Sequence, residues 1–369
     1  MKKILFTIYT SSLGGGAERI LANVVNGLAD KTDYEISVLE YAKFGVKKES
    51  FNPKVKILRP IVDMEKASRI EKLIKYFLVH IAPFILRKLY VKEKFDVEIS
   101  FNYQIPSYLT SGSKRVYNIQ WNHGDIYDLR DKPFNRFLQG ISYKKADKIV
   151  AISKNTKDSI LEIFPQFEGK IETIYNGIDI SDINAKADKK TSISLRENAI
   201  VFLGRIEDAK NPIELIEYTE KLKNEGIDIK LYLLGTGPLE KEIAKYISDK
   251  KLQDNVELLG YVLEPYPVIK QSKAVCMLSR SEGFPTVFTE GLALGRPFIS
   301  SKVGGVDELS NEGKCGVVVE NYEQFKEAVL EVVLNIQNNK KMGENAKEHI
   351  KLFSYETQID NIVKLIENR

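Results

Sequence analysis

The stretch Ser279-Arg-Ser-Glu-Gly-Phe-Pro-Thr-Val-Phe-Thr-Glu-Gly-Leu-Ala-Leu-Gly-Arg-Pro297 decides how the rest of this chain is interpreted. An apolar run, Ala274 to Leu278, comes directly before it and predicts a buried parallel strand. The chain then turns, and a helix is predicted to begin with Pro285 or Thr286 in its first turn. That helix is expected to end near Gly295. The pattern is therefore strand, loop and helix, the repeating unit of an α/β fold.

Two carboxylates bracket the predicted turn. Glu282 lies on the loop at the carboxyl end of the strand, where open α/β sheets bind ligands, and Glu290 lies in the helix. The backbone amides of residues 283–287 are unpaired at the helix start and can hold an anion such as a diphosphate. The carboxylates suit the hydroxyls of a sugar and a ribose. The alternative is an ordinary unit with two surface glutamates.

A pair of cations occupies a second loop of the same kind. Ala199 to Leu203 predict a strand, and Arg205 and Lys210 flank the loop between it and a helix that starts after Pro212. Two fixed cations at that position can neutralise a diphosphate and stabilise it as it departs. The alternative for either residue alone is a solvated surface cation.

The amino-terminal half contains a glycine loop and a histidine at strand ends. Gly14, Gly15 and Gly16 separate a predicted first strand from a helix, so a ligand can approach the backbone closely. Ala17 interrupts the dinucleotide fingerprint, which argues against dinucleotide binding. His123 follows another predicted strand and is placed to face a cleft, although a buried core histidine is the alternative.

Composition limits the class of protein. The chain has 369 residues, 43% of them hydrophobic, which suggests two soluble globular domains. The net charge of +4 does not by itself indicate nucleic-acid binding. Cys276 and Cys315 have neither metal-ligand nor disulfide spacing, as in a reducing cytosol. We find no signal peptide and no uncharged run long enough to span a membrane, and we expect a cytoplasmic protein.

Residues 65–95 carry eight Lys or Arg and three Glu. Apolar residues recur there at helical spacing, at positions 70, 73, 74, 77, 78 and 81. A basic amphipathic helix of this kind predicts peripheral contact with an anionic bilayer, on the inner face of the cell membrane. We expect Lys72, Lys75, Arg87 and Lys88 to face the bilayer and to be replaceable by Glu without a change in melting temperature. The alternative packs the apolar side into the domain core.

Three of these motifs together resemble family 4 of the retaining nucleotide-sugar glycosyltransferases. They are the Glu-x7-Glu pair with Glu-Gly-Phe-Pro, the Gly-Arg…Lys-Asn loop of residues 204–211, and Gly-Gly-Gly-Ala-Glu-Arg of residues 14–19. The resemblance implies an α/β protein of the GT-B fold, in which two doubly wound Rossmann-like domains face each other across a cleft. We expect domains at 1–180 and 199–353, a linker at 181–198, and a terminal helix at 354–369 that packs on the first domain.

The resemblance also implies a reaction and a site. The enzyme is expected to move a hexose, with retention of configuration, from a nucleotide-diphosphate sugar to an acceptor hydroxyl. UDP is the expected nucleotide. The acceptor is expected to be a glycan, lipid-linked or protein hydroxyl in the synthesis of a surface polysaccharide such as a capsule. The catalytic residues implied are His123, Arg205, Lys210 and Glu282. Those implied in donor binding are Gly15, Gly16, Arg205, Lys210, Gly235, Val262, Glu282, Gly283, Phe284, Pro285, Thr286 and Glu290.

No metal or other cofactor is expected. The sequence lacks the Asp-x-Asp signature with which the other large transferase fold binds a metal, and Arg205 with Lys210 offers a metal-free substitute. Two other readings stay open. One is a catalytically silent GT-B subunit that binds a partner or a glycan, although such a subunit is expected to lose Glu282, Arg205 or Lys210. The other is a sugar-nucleotide epimerase or a phosphorylase, and a phosphorylase needs a second phosphate site for which we see no basic loop.

Overall fold

The computed structural model describes residues 1–13, 16–45, 50–112 and 116–368. The chain divides into two compact units. The first unit contains Met1–Asn176 and the residues from Gln358 onward, and the second contains Gly177–Thr357. Each unit is built around one parallel β-sheet with helices in the connections. The architecture of each unit is therefore Rossmann-like, as the alternation of apolar runs and helical patterns predicts.

The main sheet of the first unit is buried on both faces over most of its strands, as parallel sheets covered by helices are. All five residues of Val97–Phe101, for example, are buried. Seven of its strands pair in the order β4-β2-β1-β6-β7-β8-β9, and β3 pairs with β5 in a small separate sheet. The strands are β1 (Lys3–Ile8), β2 (Glu35–Glu40), β3 (Ala42–Lys43), β4 (Lys56–Ile57), β5 (Val62–Asp63), β6 (Val97–Phe101), β7 (Tyr117–Asn122), β8 (Lys148–Ala151) and β9 (Ile171–Thr173).

Six α-helices connect these strands, and local signals set several of their ends. The Ser68 hydroxyl accepts from the Glu71 amide, and the Ser153 hydroxyl accepts from the Thr156 amide, so both serines are N-caps. Pro83 starts a helix at a first-turn position, where its missing N–H costs no hydrogen bond. The helices are α1 (Gly16–Lys31), α2 (Arg69–Ile81), α3 (Pro83–Tyr90), α4 (Ile105–Thr110), α5 (Pro133–Lys145) and α6 (Lys154–Ile163).

Helices α2 and α3 turn most of their apolar residues away from the core. Their buried residues are Val79 and Leu86, which pack into the core of the first unit. The apolar positions that share helical spacing point outward, and Phe77, for example, is 62% exposed. The expectation that this side of the segment fills the core is therefore wrong for most of these residues.

The prediction that four cations of this segment face the bilayer is wrong for three of them. Lys72 donates to the Met64 carbonyl oxygen at 2.8 Å, and Lys75 donates to the Ile61 carbonyl oxygen at 2.5 Å. Arg87 pairs with the fully buried carboxylate of Glu98. These three cations hold the helices to the body of the unit, because long basic side chains can lie along a surface and bind its carbonyl groups. Lys88 is exposed, as expected.

The sheet of the second unit has six parallel strands in the order β12-β11-β10-β13-β14-β15. This is the strand order of a dinucleotide-binding fold, with the reversal between its first and fourth strands. The strands are β10 (Ala199–Leu203), β11 (Lys230–Leu234), β12 (Val256–Gly260), β13 (Ala274–Met277), β14 (Phe298–Ser301) and β15 (Gly316–Val319). The helices are α7 (Ile180–Ala187), α8 (Pro212–Asn224), α9 (Glu240–Asp249), α10 (Tyr266–Ile269), α11 (Thr286–Ala293), α12 (Val306–Ser310), α13 (Tyr322–Ala328), α14 (Ile336–His349) and α15 (Tyr355–Glu367).

The segment expected as a linker, residues 181–198, is partly helical. Helix α7 covers its first third, the Asp179 side chain caps that helix, and Ile183 and Ala187 are buried on one side of it. Two apolar residues four positions apart are enough to bury one side of a short helix. The polar composition of the segment concealed them.

The last helix, α15, begins where the sequence analysis expects a terminal helix, at residue 354 or just after it. The Ser354 hydroxyl accepts from the Thr357 amide at 3.1 Å, and α15 follows. All of this helix from Gln358 onward belongs with the first unit, where Lys2 forms an ion pair of 2.5 Å with Glu367 and Lys31 pairs with Asp360.

Candidate active site

The strand order of the second sheet reverses between β10 and β13. In open α/β sheets the ligand binds at such a reversal, outside the carboxyl ends of the strands. The two loops that leave these ends are residues 204–211 and residues 278–285. They contact each other, because the Arg280 amide donates to the Ala209 carbonyl oxygen at 2.9 Å. The fold therefore brings together the two loops that the sequence singled out.

Lys210 and Glu282 form an ion pair at this point. The Lys210 Nζ atom lies 2.5 Å from the Glu282 Oε1 atom, and the side chains are 24% and 11% exposed. The Ser279 hydroxyl donates to the same carboxylate oxygen at 2.9 Å. An ammonium group has three donors, and this pair uses one of them. Within the part of the chain that the structure describes, no other hydrogen-bond or ion-pair partner is found for this ammonium, so two donors can reach a ligand's oxygen atoms.

Contacts with neighbouring segments of the second unit hold the loop that contains Glu282. The Ser301 hydroxyl donates to the Ser279 carbonyl oxygen at 2.6 Å, which ties the loop to the end of β14. The Arg280 guanidinium donates to the Asn211 side-chain oxygen at 3.3 Å and lies 3.5 Å from Asp208. Our sequence analysis gave Arg280 no role, although its position just after a strand was the available signal. These contacts hold the Lys210–Glu282 pair in one place.

Arg205 is on the expected loop but not at the ion pair. Its side chain is 73% exposed and its guanidinium lies 2.9 Å from a Glu207 carboxylate oxygen. The structure thus brings Lys210, and not Arg205, to Glu282. A role of Arg205 toward a diphosphate stays a prediction.

The turn between β13 and α11 is anchored by an aromatic ring. Phe284 is buried and its ring lies 5.8 Å from that of Phe353. A β-carbon at Gly305 would lie 2.4 Å from the Phe284 ring, so this ring fits only over a glycine. The ring holds the predicted anion-binding residues, which are Gly283, Phe284, Pro285 and Thr286, in a defined turn. Among the described residues no side chain caps the helix start at Thr286. Glu290 follows in the same helix and is half-buried.

Glycines pack closely at the ends of β10, β11 and β12. The Gly204 amide donates to the Leu234 carbonyl oxygen at 3.0 Å, and the Gly235 amide donates to the Gly260 carbonyl oxygen at 2.8 Å. Gly235 has a φ of +145°, and a β-carbon there would lie 1.9 Å from the Gly204 carbonyl oxygen. The predicted donor residue Gly235 is therefore required by the packing of these loops. Val262, the other residue predicted there, is half-exposed just after β12.

We predict that Gly235→Ala lowers the free energy of unfolding of the second unit by about 3 kcal/mol or more, through backbone strain and crowding. Gly226→Ala is the matched control, because its φ is +77° but nothing lies within 4 Å of its added β-carbon. The control should lose about 1 kcal/mol. Calorimetric melting of both variants makes the comparison. Equal losses would contradict the crowding argument.

His123 directly follows β7 in the first unit. The residue is half-exposed, but both ring nitrogens are buried and have no hydrogen-bond partner among the described residues. Burial lowers the pKa of His123 to about 3, and its ring lies 4.1 Å from that of Phe101. The imidazole is therefore neutral near pH 7, with one nitrogen a donor and the other an acceptor. The ring also stacks on that of Trp121 at 5.9 Å, and a role of His123 toward a sugar stays a prediction.

The glycine loop of the first unit is described only in part. Gly16 is the first residue of α1 and is exposed, whereas Gly14 and Gly15 lie outside the described residues. The loop before them is held by Glu40, a buried carboxylate at the end of β2. Glu40 accepts from the Ser11 amide at 2.7 Å. No sequence motif pointed to Glu40.

A strained residue lies at the reversal of strand order in the first sheet. That reversal falls between β1 and β6, and Gln104, three residues after β6, has a φ of +62°. A non-glycine residue with this backbone conformation is uncommon, and such residues are enriched at functional sites. The Gln104 amide donates to the buried Gln139 side chain at 2.7 Å, which maintains the strain. Sequence reasoning missed Gln104 because glutamine is not a residue type that indicates a positive φ.

Two family models match the chain, and they divide it between the two units. Residues 14–182 match "Glycosyltransferase Family 4", and residues 184–349 match "Glycosyl transferases group 1". The chain belongs to the family 4 glycosyltransferases. It is therefore a glycosyltransferase, as the Glu-x7-Glu stretch predicted.

Similar proteins support this assignment. The chain is 27% identical over its whole length to an uncharacterized glycosyltransferase of Methanocaldococcus jannaschii, of which it covers 98%. It is 29% identical, over 87% of this chain and 86% of the relative, to "N-acetylgalactosamine-N,N'-diacetylbacillosaminyl-diphospho-undecaprenol 4-alpha-N-acetylgalactosaminyltransferase" of Campylobacter jejuni. Anabaena HepE, solved in complex with UDP, superposes with a TM-score of 0.75 at 17% identity, and each chain covers all of the other. The fold is GT-B, as predicted.

Proposed function

We propose that this glycosyltransferase moves a hexose from a UDP-sugar to a hydroxyl of a glycan or lipid-linked acceptor, with retention of configuration, in the synthesis of a surface polysaccharide. The observation that carries the proposal is the Lys210–Glu282 pair at the reversal of strand order. The diphospho-undecaprenol acceptor of the C. jejuni relative supports a lipid-linked acceptor, and the UDP bound to HepE supports the nucleotide.

The chemistry assigns a task to each part of the site. The two unused donors of Lys210 would bind diphosphate oxygens, joined by Arg205 and the amides of residues 283–286. Glu282 would accept hydrogen bonds from sugar hydroxyls, and Glu290 from ribose hydroxyls. His123, being neutral, would hydrogen-bond the sugar. Lys210 and Glu282 would thus place the diphosphate next to the sugar it leaves.

Transfer with retention replaces one bond of the anomeric carbon with another on the same face of the sugar. The bond from the anomeric carbon to the diphosphate oxygen breaks, and the bond from that carbon to the acceptor oxygen forms on the same face. The acceptor proton passes to the departing phosphate oxygen. The negative charge that develops on the diphosphate is stabilised by the fixed cation, and stabilisation of developing charge lowers a barrier more than ground-state binding does.

Sugar-nucleotide turnover with and without an acceptor tests the proposal. UDP release that depends on an acceptor, with a product of the donor's anomeric configuration by NMR, is expected. No release with any donor would favour the silent-subunit alternative. Conversion of the donor without release would indicate an epimerase, and dependence on inorganic phosphate would indicate a phosphorylase.

We predict that transfer continues in excess chelator. The motivating observations are the absent Asp-x-Asp and the placement of the Lys210 ammonium, which supplies the positive charge that a metal ion would otherwise supply. Initial rates with and without EDTA provide the measurement. A rate that falls in EDTA and recovers with manganese or magnesium would contradict the prediction.

The proposal includes attachment to an anionic bilayer, from which a lipid-linked acceptor would be presented. No helix within the described ranges is both long and apolar enough to cross a membrane. Residues on α2, α3 and α5 form what we term the apolar face. They are Ile70, Leu73, Ile74, Phe77, Ile81, Phe84, Ile85, Leu89, Phe134, Phe137 and Ile141, each between 38% and 70% exposed. An exposed apolar surface of this extent marks an interaction site. The bilayer contact predicted from the sequence was confined to residues 65–95 and did not include helix α5.

We predict that changing Leu73, Phe77 and Phe137 together to Ser lowers the vesicle-bound fraction about tenfold or more. Each apolar side chain that enters a bilayer contributes on the order of 1.5–3 kcal/mol. Co-sedimentation with anionic vesicles provides the measurement, and the melting temperature should hold because all three are exposed. Leu263→Ser with Ile336→Ser, two exposed positions of the second unit, is the control. Failure of the wild-type protein to co-sediment with anionic vesicles at low salt would exclude attachment to the bilayer.

A further inference from the structure

A large groove lies within the first unit, between α3 and α5. Its volume is about 1060 Å³, which is at the upper end of the range for pockets that hold organic ligands. The end of α4 and the start of β7 line it, at Gly112 and Asn118. A β-carbon on Gly112 would lie 3.0 Å from the Phe84 Cα atom, so the glycine lets α4 approach α3. The groove is separate from the Lys210–Glu282 site, which is in the other unit.

The groove has a mixed lining, in which polar residues such as Tyr108, Ser111 and Ser142 accompany an apolar stretch that is partly in water. Ile81 and Phe84 contribute from one side and Leu138 and Ile141 from the other. Ile81 is 55% exposed, Phe84 is 57% exposed and Ile141 is 38% exposed. These three residues also belong to the apolar face. The groove therefore opens on the surface that we assign to the bilayer, and a hydrocarbon chain would cover its walls.

One end of the groove is cationic. Lys88, near the end of α3, and Lys145, the last residue of α5, both line it and are both exposed. Neither ammonium forms an ion pair within the described residues, and Lys145 donates to the Ser111 carbonyl oxygen at 3.4 Å. Arg87 is engaged by Glu98, and Asp147 accepts from the Asn118 amide at 2.7 Å. Two lysines are therefore available for an anion.

A groove with an apolar stretch, and with two lysines in the last turns of α3 and α5, fits an amphiphile with an anionic head. We propose that this groove binds one anionic phospholipid drawn from the bilayer, with an acyl chain between α3 and α5 and the phosphate on Lys88 and Lys145. The inference rests on the proposed bilayer contact and does not depend on sugar transfer.

Position distinguishes this lipid from a lipid-linked acceptor. Asn118 lies at the edge of the sheet where the strands begin, and His123 lies at the opposite edge, five residues further along β7. Five extended residues span roughly 16 Å. A phosphate on Lys88 and Lys145 would thus lie at the edge of the sheet away from His123. The bound lipid would fix the first unit to the membrane and make attachment selective for anionic lipid.

Retention of radiolabelled phosphatidylglycerol by the immobilised full-length protein, in non-ionic detergent without vesicles, tests the proposal. About one lipid per chain is expected. Lys88→Gln with Lys145→Gln should weaken binding about 30-fold, because each basic residue near an anionic lipid contributes about fivefold. Lys92→Gln with Lys144→Gln is the matched control, since both are exposed on or next to the same helices and neither lines the groove. The control should bind like the wild type.

A second pair of variants tests the chain-binding part. Ile141→Trp should fill the groove and reduce lipid retention, whereas Phe137→Trp, on the same helix but outside the groove, should not. The proposal is overturned if the wild type retains no lipid, if Lys88 and Lys145 can be neutralised without loss, or if Ile141→Trp binds normally. Equal retention of a neutral diacylglycerol would overturn the phosphate assignment, and preferential retention of a polyprenyl phosphate would make the groove an acceptor site instead. Vesicle binding that fails while detergent-solubilised lipid is retained would refute the bilayer attachment alone.

Discussion

Replacing Lys210 with alanine is expected to lower the turnover number for sugar transfer by about 100-fold or more. Removing one preorganised group that stabilises developing charge has an effect of this size in other enzymes. The ammonium is already held 2.5 Å from the Glu282 carboxylate, so it needs no rearrangement to meet the diphosphate. The measurement is the rate of acceptor-dependent UDP release at saturating donor. Arg205→Ala is expected to lower the rate in the same direction.

Lys189→Ala is the control for the Lys210 prediction. Lys189 also forms an ion pair, with Glu264 at 2.9 Å, but both side chains are about half exposed and neither residue belongs to the two loops. Its replacement should leave the turnover number unchanged. The double variant Lys210→Ala with Glu282→Gln should lose less than the sum of the two single losses, because the two side chains are in contact. A Lys210→Ala enzyme with near-normal turnover would refute the assigned role.

Replacing Arg87 with methionine is expected to destabilise the first unit by about 3–5 kcal/mol. The Glu98 side chain is completely buried in β6, and two of its contacts are hydrogen bonds of 3.2 Å from the Arg87 Nε atom. Removing one partner of a buried ion pair leaves an uncompensated charge inside the protein. Chemical denaturation followed by tryptophan fluorescence measures the loss, because Trp121, the single tryptophan, is buried in this unit.

Arg130→Met is the matched control for Arg87. Arg130 also binds a glutamate with two hydrogen bonds, to Glu162 at 2.8 and 2.6 Å, but both side chains are about half exposed. Surface pairs of this kind contribute about 0–1 kcal/mol. Changing Arg87 to Met together with Glu98 to Leu should recover part of the stability. Equal losses for the two arginines would contradict the argument from burial.

The Arg87 prediction changes how the basic segment is understood. A variant with Glu at Lys72, Lys75, Arg87 and Lys88 would place a carboxylate against buried Glu98 and free two backbone carbonyl groups. It would unfold the first unit and could not report on membrane binding. Apolar residues such as Phe77 and Phe137 are the side chains that can be changed without that penalty, since they touch little of the protein.

Much of the fold and part of the site could be predicted from local sequence. Apolar runs such as that of β1 form buried parallel strands in any protein of this class, and Pro83, Ser153 and Ser354 specify helix starts through their own backbone or hydroxyl groups. The positions of Lys210 and Glu282 followed from loops at strand ends, because parallel strands all end at the same edge of a sheet. These properties depend on neighbours close in sequence.

The orientation of the helices and the pairing of charged side chains depend on residues that are far apart in the chain. Which side of α2 faces inward was settled by the Ile61 and Met64 carbonyl groups, which accept from lysines of that helix. Buried Glu98 does the same for α3 through Arg87, and the apolar periodicity of the helices did not indicate either contact. That Lys210 and not Arg205 meets Glu282 depends on a contact across 72 residues. Local sequence was enough to predict many of the strands and helices and the family, although α7 was missed. The pairing of charges required the fold, because electrostatic and packing energies are set by distance in space and not by distance along the chain.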